Sequence, residues 1–408
     1  MIRILSLKEA SGLITRKAVR LEEAERIVAP ILADVRKRGD AALLEYALKF
    51  DGFTGDSVRM SVEGSLTPEM EAAVKTAAEN IREHAYTQLP VEGTTEYPDG
   101  RRLGEIVRPL DSMGAYIPAG RYPLPSTLLM TVIPAQVAGV ETTCVACPNP
   151  SPEIMGIAAW LGVTHLFRMG GAQAIAAMAY GTETVPRVDR IVGPGNIYVA
   201  AAKKLIAGEV GIDFVAGPTE IVIIAAEGNP KWIAADLLAQ AEHDVDASSI
   251  LLTTSRKLAE AVAAEVERQI ATLPTAPVAR PSLENNGAIV VVEKMEQAVE
   301  FSNRLAPEHL ALHDPSLLDG IKHAGAVFLG PTSPEAAGDY ASGPNHVLPT
   351  SGAARLRGGL SAADFVKVIS TQELLPAALA DLTSTITALA RAEGLEAHAR
   401  SVEVRRNA

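Results

Sequence analysis

The chain has 408 residues, of which 48% are hydrophobic and 21% charged, with a formal net charge of −12. That length leaves room for two or three domains with buried cores, and the composition excludes a disordered chain. The acid excess, with Lys and Arg scattered, argues against nucleic acid or an anionic membrane as a main partner. Met1 to Lys8 lack the apolar core and cleavage site of a signal peptide, and no run reaches membrane-spanning length, so a cytoplasmic protein is expected.

The first hundred residues read as helices over Leu21 to Lys37, Asp40 to Asp51 and Thr67 to Gln88, with Asp40 and Thr67 as N-caps. A hairpin follows, turning at Pro98-Asp99-Gly100 and returning over Arg101 to Pro109. From Ser112 the pattern becomes strand, Gly or Pro loop, helix. Strands at Met113 to Ile117, Thr142 to Cys147, Thr164 to Arg168 and Arg187 to Val192 lead into the loops 118–123, Pro148-Asn149-Pro150, Gly170-Gly171-Ala172-Gln173 and Gly193-Pro194-Gly195-Asn196. Such units imply a parallel sheet covered by helices on both faces, with ligands at the carboxyl ends of the strands, where these loops fall. Glycine there lets backbone N–H groups approach a phosphate at a helix N-terminus. Neither GGAQ nor GPGN is a G-x-G-x-x-G or P-loop fingerprint, and each alone suits a tight turn equally well; together the loops point to a mononucleotide or dinucleotide.

A second α/β block begins at Gly217-Pro218-Thr219-Glu220. Its strands are expected at Ile221 to Ala225, Ser249 to Thr253, Ala288 to Val292, His309 to His313 and Ala326 to Leu329, with helices over Pro230 to His243, Arg256 to Ala271 and Met295 to Ala306. A loop from Gly338 to His346 follows, and beyond Ser361 the chain reads as helical to its end.

Chemistry concentrates at a few positions. In Pro307-Glu308-His309 a carboxylate and an imidazole are adjacent: an acid/base pair in one reading, a surface Glu and a core His in the other. The proline favours extended backbone, in which neighbours point to opposite faces, so both reach one centre only at an irregular strand start or bulge. Gln240 and His243 are three apart, a metal-ligand spacing on a helix, or else a His at a helix C-terminus. Asp339 and His346 bracket a Gly-, Ser- and Asn-rich loop of the kind that carries sites. Glu393 and His398, near the chain end, suit a solvated helix. Cys144 and Cys147 form a lone C-x-x-C within an apolar strand and read as core.

Taken jointly, Gly193-Pro194-Gly195-Asn196, Ala239-Gln240-Ala241-Glu242-His243, Ala306-Pro307-Glu308-His309-Leu310, Gly338 to Thr350 and Glu393 to His398 resemble histidinol dehydrogenase, in order along nearly the whole chain. The resemblance implies two Rossmann-like α/β domains at 112–217 and 218–360. A helical segment at 1–111 partly joins the second domain, and a helical tail at 361–408 contributes to the partner's active site. It implies a cytoplasmic homodimer of histidine biosynthesis with one Zn²⁺ per subunit, oxidising L-histidinol to L-histidine through L-histidinaldehyde with two NAD⁺ and one water. Gln240, His243, Asp339 and the partner subunit's His398 would be the zinc ligands, and these with Thr219, Glu308, His309, His346 and the partner subunit's Glu393 would bind substrate. Tyr116, Gln173 and Asn196 would contact NAD, and Glu308 and His309 would be catalytic. Where Thr219 stands, serine is expected; threonine keeps the hydroxyl and adds a methyl, which bears on substrate fit. Rival readings are a related dehydrogenase of a sulfonated or other small alcohol, an aldehyde dehydrogenase using Cys144 or Cys147, and a non-catalytic zinc-dependent homologue.

Overall fold

The computed structural model describes residues 2–14, 19–118 and 122–405; of the loop expected at 118–123, residues 119–121 lie outside them. The chain opens with β1 (Arg3–Ser6), α1 (Val19–Arg38), α2 (Asp40–Asp51), β2 (Arg59–Met60) and α3 (Pro68–Thr87), followed by the hairpin β3 (Gly93–Glu96) and β4 (Arg101–Pro109). The first α/β block comprises β5 (Ser112–Tyr116), α4 (Pro125–Ala138), β6 (Thr142–Ala146), α5 (Pro152–Leu161), β7 (His165–Phe167), α6 (Gly171–Tyr180), β8 (Arg190–Val192), α7 (Ile197–Ile206) and β9 (Gly211–Ile212). The second runs through β10 (Glu220–Ile224), α8 (Pro230–Ala241), β11 (Ser248–Thr253), α9 (Arg256–Ile270), α10 (Ala276–Asn286), β12 (Ala288–Val291), α11 (Met295–Leu305), β13 (His309–Leu312), β14 (Ala326–Leu329) and α12 (Glu335–Tyr340). The chain then forms β15 (Val366–Leu374), α13 (Pro376–Ala392) and α14 (Glu396–Glu403).

The first sheet has the order β2-β7-β6-β5-β8-β9, parallel except for β2. Its strand order reverses between β5 and β8, and this reversal opens the crevice used by ligands in open α/β sheets. Helices α1, α6 and α7 cover one face, where Val28, Leu32, Ile175, Val199 and Ile206 pack with Tyr116, Cys144 and Ile191. Thr67 caps α3 as expected, accepting from Met70 N at 3.2 Å. Asp40 does not cap α2: Gly39, with φ 57°, precedes the helix, and Asp40 is its first residue, its N–H donating to Glu183 at 2.8 Å.

The second sheet, in the order β1-β12-β11-β10-β13-β14, is parallel throughout. Its central strands are buried on both sides, so their side chains divide by parity. Ile221, Ile223, Leu251 and Ile289 pack with α8, α9 and α10, while Val222, Ile224, Leu252 and Leu310 pack with Phe301 and Leu305 of α11. Each fully buried aliphatic side chain stabilises by roughly 1.5–3 kcal/mol, so a one-residue slip of β10 or β13 would exchange two complete packing sets.

These two sheets lie in one compact unit, and residues 88–110 with the chain from 366 onward form another. Within the latter, β15, β4 and β3 make an antiparallel sheet, with β15 paired to β4 along all nine of its residues. The tail is therefore helical from Pro376, but the expectation of helix directly beyond Ser361 fails over Val366–Leu374. The alternation in Val366-Lys367-Val368-Ile369-Ser370-Thr371 and its β-branched residues favour a strand once β4 supplies a partner.

Candidate active site

Helix α11 stops because Ala306 turns to a left-handed φ of 54°. Pro307 then fixes its own φ, and the chain enters β13, between β10 and β14. Glu308 and His309 sit at this entrance, 7% and 4% exposed, with Glu308 just before the first paired residue of the strand. The strand start relaxes the opposite-face rule, and Glu308 Oε2 lies 3.7 Å from His309 Nδ1.

Glu308 Oε2 accepts from the hydroxyl of Thr219 and from Glu220 N at 2.9 Å. Thr219 Oγ1 in turn accepts from Gln240 Nε2 at 2.7 Å. Since its amide nitrogen is thereby committed, Gln240 is left with Oε1 as a buried acceptor that has no hydrogen-bond partner among the described residues. Burial raises the Glu308 carboxyl, opposed by the His309 charge and the two donors.

His309 Nδ1 faces the carbonyl of Glu220 at 3.3 Å. A carbonyl only accepts, so Nδ1 carries a proton and Nε2 holds the lone pair of the neutral ring. Nε2 is buried, makes no hydrogen bond among the described residues, and lies 3.5 Å from Asp339 Oδ1. Burial works to lower the imidazole, but Glu308, Asp339 and Glu335 outweigh it and push it up to about 10. Asp339, which burial would raise, is held below the ordinary carboxylate range by His309, His346 and His243. His346 Nδ1 donates to the carbonyl of Asp339 at 2.8 Å, and its Nε2 is 3.4 Å from Thr127 Oγ1 on α4. Asp339 belongs to α12 rather than to a loop; the irregular stretch begins only after Tyr340. His243 lies just past α8, which ends at Ala241, and is exposed.

In the second sheet, Thr219, Glu308 and His309 thus gather at the amino edge, where β10 and β13 begin. On the first sheet, Tyr116 ends β5 and Asn196 caps α7 after β8, flanking the order reversal at the carboxyl edge. Asn196 Oδ1 accepts from Tyr198 N and Val199 N at 3.0 and 3.1 Å, leaving its amide group for a ligand. The Tyr116 hydroxyl accepts from Gly171 N at 3.1 Å, and Gln173 donates to Asp51 at 3.2 Å. Both cysteines are free and buried, with burial pushing Cys144 up to about 12 and Cys147 up to about 11. Glu393 and His398, in the other compact unit, are exposed at the end of α13 and on α14.

Among the described residues no group of three or more His, Cys, Asp or Glu is disposed to hold a metal. The unpartnered Gln240 Oε1 and the Asp339 carboxylate nevertheless supply oxygen donors of the kind Zn²⁺ accepts, and His243 adds an imidazole close enough to act on Asp339. Sequence reasoning missed Glu335, 2% exposed, with both carboxylate oxygens unpartnered among the described residues and burial raising it well above the ordinary range. Its signal is the spacing of four to Asp339, which becomes meaningful once the stretch is read as a helix.

Residues 14–406 match the family profile described as Histidinol dehydrogenase. The histidinol dehydrogenase of Geobacillus kaustophilus is 50% identical over 400 residues, covering 94% of each chain. The crystal structure of histidinol dehydrogenase from Elizabethkingia anophelis superposes with a TM-score of 0.93 at 38% identity, over 99% of this chain and 98% of that one. An acetylating aldehyde dehydrogenase from Geobacillus thermoglucosidasius shares the fold alone, with a TM-score of 0.51 at 15% identity over 90% of this chain and 95% of that one. The family profile and these relatives define an α/β enzyme of the dehydrogenase class. The chain belongs to the histidinol dehydrogenase family, whose members are NAD-dependent oxidoreductases.

Proposed function

We propose that the protein oxidises L-histidinol to L-histidine through L-histidinaldehyde, consuming two NAD⁺ and one water, as a cytoplasmic homodimer. The observation that carries this reading is the buried Glu308–His309 pair, with Nδ1 of the imidazole committed to the Glu220 carbonyl and Nε2 unbonded among the described residues. In the first step His309 Nε2 takes the hydroxyl proton as a hydride leaves the carbinol carbon for NAD⁺. Glu308 then takes a proton from water as the water oxygen adds to the aldehyde carbon, and His309 returns its proton to the carbonyl oxygen, giving the diol and a neutral imidazole. The diol gives up a second hydride to a second NAD⁺ as His309 again receives a hydroxyl proton, and the protons on Glu308 and His309 pass to solvent. Burial of both groups protects the aldehyde between steps.

His309 must be neutral to act. Glu308, Asp339 and Glu335 hold its proton; once Asp339 is committed to a metal, one of these three holds is withdrawn. Gln240, His243, Asp339 and His398 of the partner subunit would hold zinc, which when bound supplies a positive centre that orients the substrate's amino and imidazole nitrogens. Thr219 and His346 would line the substrate pocket, with Glu393 of the partner subunit closing it. NAD would lie over Tyr116, Gln173 and Asn196 at the strand-order reversal. Support for the dimer comes from apolar residues left uncovered in the second compact unit: Val368, Ile369, Leu389 and Leu395 are 46, 43, 61 and 43% exposed. No helix among the described residues is long and apolar enough to cross a membrane.

The test is NADH formation from L-histidinol by zinc-loaded protein, set beside 2,3-dihydroxypropane-1-sulfonate as the rival substrate. Two NADH per histidinol are expected, and inactivity on histidinol would overturn the reading. His309→Ala should lower both oxidations by about 10²–10⁴-fold. Glu308→Gln should spare oxidation of the alcohol more than that of the aldehyde. Equal losses in the two half-reactions would remove Glu308 from the water step.

A further inference from the structure

Gly193, the first residue of the GPGN loop, is fixed through both of its backbone polar groups. Its N–H donates to Asp213 Oδ2 at 2.8 Å, and its carbonyl accepts from Lys203 Nζ at 3.0 Å. Lys203 and Asp213 are 1% and 4% exposed and form an ion pair with each other. The other carboxylate oxygen of Asp213 also accepts from Phe214 N at 2.6 Å.

Attraction between the two charges does not by itself explain this arrangement, because the pair also satisfies the buried N–H and carbonyl of Gly193. Lys203 shares a helical stripe with Val199 and Ile206, where an apolar side chain would pack without desolvating a charge. Replacing a buried ion pair by apolar residues of similar volume is commonly neutral or stabilising. What the pair does that an apolar pair would not is hold one residue through the peptide units on both sides of its Cα. Gly193 has a φ of 112°, and a Cβ added to it would come within 2.3 Å of the Tyr116 carbonyl oxygen. The glycine therefore lies directly against the backbone of Tyr116. The Tyr116 hydroxyl in turn accepts from Gly171 N, at the first residue of the helix that carries Gln173. Three residues beyond Gly193 is Asn196. One buried ion pair thus connects, through the single residue Gly193, to all three residues assigned above to the dinucleotide.

We propose that Lys203 and Asp213 are positioning residues for the nicotinamide dinucleotide, holding Gly193 so that the loop to Asn196 and the end of β5 keep the spacing the cofactor needs. This rests on the cofactor reading above. Neither side chain touches the cofactor; they act through Gly193.

The experiment compares wild-type protein with the Lys203→Met, Asp213→Asn and Lys203→Met/Asp213→Asn variants, all full-length and zinc-loaded. The double variant leaves no unpaired buried charge, so it keeps the measurement open should a single variant unfold. NADH affinity is read by titrating NADH fluorescence, and steady-state kinetics give KM for NAD⁺ and for histidinol separately. NADH Kd and NAD⁺ KM are expected to rise about tenfold in the double variant, with histidinol KM and kcat at saturating NAD⁺ within about twofold of wild type. An unchanged NADH Kd in the folded double variant, beside a wild type that binds NADH, overturns the proposal and leaves the cofactor reading standing. Equal rises in the KM of both substrates, or failure of all three variants to fold, overturn it in favour of a general folding role. Absence of NADH binding by the wild type overturns the cofactor reading, and the proposal with it.

Discussion

Thr219 carries two hydrogen bonds on one oxygen, donating to Glu308 and accepting from Gln240, so a single hydroxyl joins the water-activating carboxylate to a candidate metal ligand. Thr219→Ser keeps both bonds, and kcat should stay within about twofold, with any change falling on histidinol KM through the lost methyl. Thr219→Val leaves a buried carboxylate and a buried amide each short of a partner, which should lower stability by about 1–3 kcal/mol in urea unfolding. The cysteines behave oppositely. With Cys147 pushed up to about 11, its thiolate fraction at pH 8 is on the order of one in a thousand, and that of Cys144 is smaller still. Iodoacetamide should label native protein slowly at pH 8 and faster as pH rises towards these values. Cys144→Ala/Cys147→Ala should keep its activity; its loss would restore the nucleophile reading. Glu308 and His309 were legible as a pair from sequence, but not what fixes the tautomer. That depends on the Glu220 carbonyl, which pairing of β10 with β13 brings to a residue 89 positions away.

Helix α12 reaches the site because Gly338 has no side chain: a Cβ there would come within 2.7 Å of Phe328 Cε1 on β14. Phe328 in turn packs against His309, their ring centroids 6.0 Å apart. Gly338→Ala should therefore move α12 and the adjacent Asp339 by a fraction of an ångström to an ångström. kcat/KM for histidinol should fall by up to about 10²-fold while the far-ultraviolet circular dichroism spectrum stays unchanged. Wild-type kinetics in this variant would mean that α12 does not set the site geometry. The elements themselves were largely readable, because apolar runs such as Ile221-Val222-Ile223-Ile224 have one stable use in a sheet covered on both faces. Short pieces were not. Arg59–Met60 and Gly211–Ile212 are two-residue edge strands whose identity comes only from their neighbours, and α12 is too short to impose a helical period.

At the scale of the molecule, the proposal of shared sites has a direct test. His309→Ala and His398→Ala dimers, each inactive, should on mixing and subunit exchange regain roughly a quarter of wild-type activity, because half the dimers are hybrids and one site in each is intact. No recovery, with exchange verified by mass, would mean that each site draws His398 from its own chain. Sequence spacing gave no access to the tail's architecture, since β15 depends on pairing with β4, more than 250 residues earlier in the chain. The amino-edge location of the reacting pair has a different consequence. Glu308 and His309 begin a strand whose register commits Leu310 and Leu312 to one packing face, so an insertion or deletion at Pro307 would disrupt core and chemistry together. Heritable change in what this scaffold accepts is thereby limited, at this entrance, to exchange of side chains on a chain of fixed length.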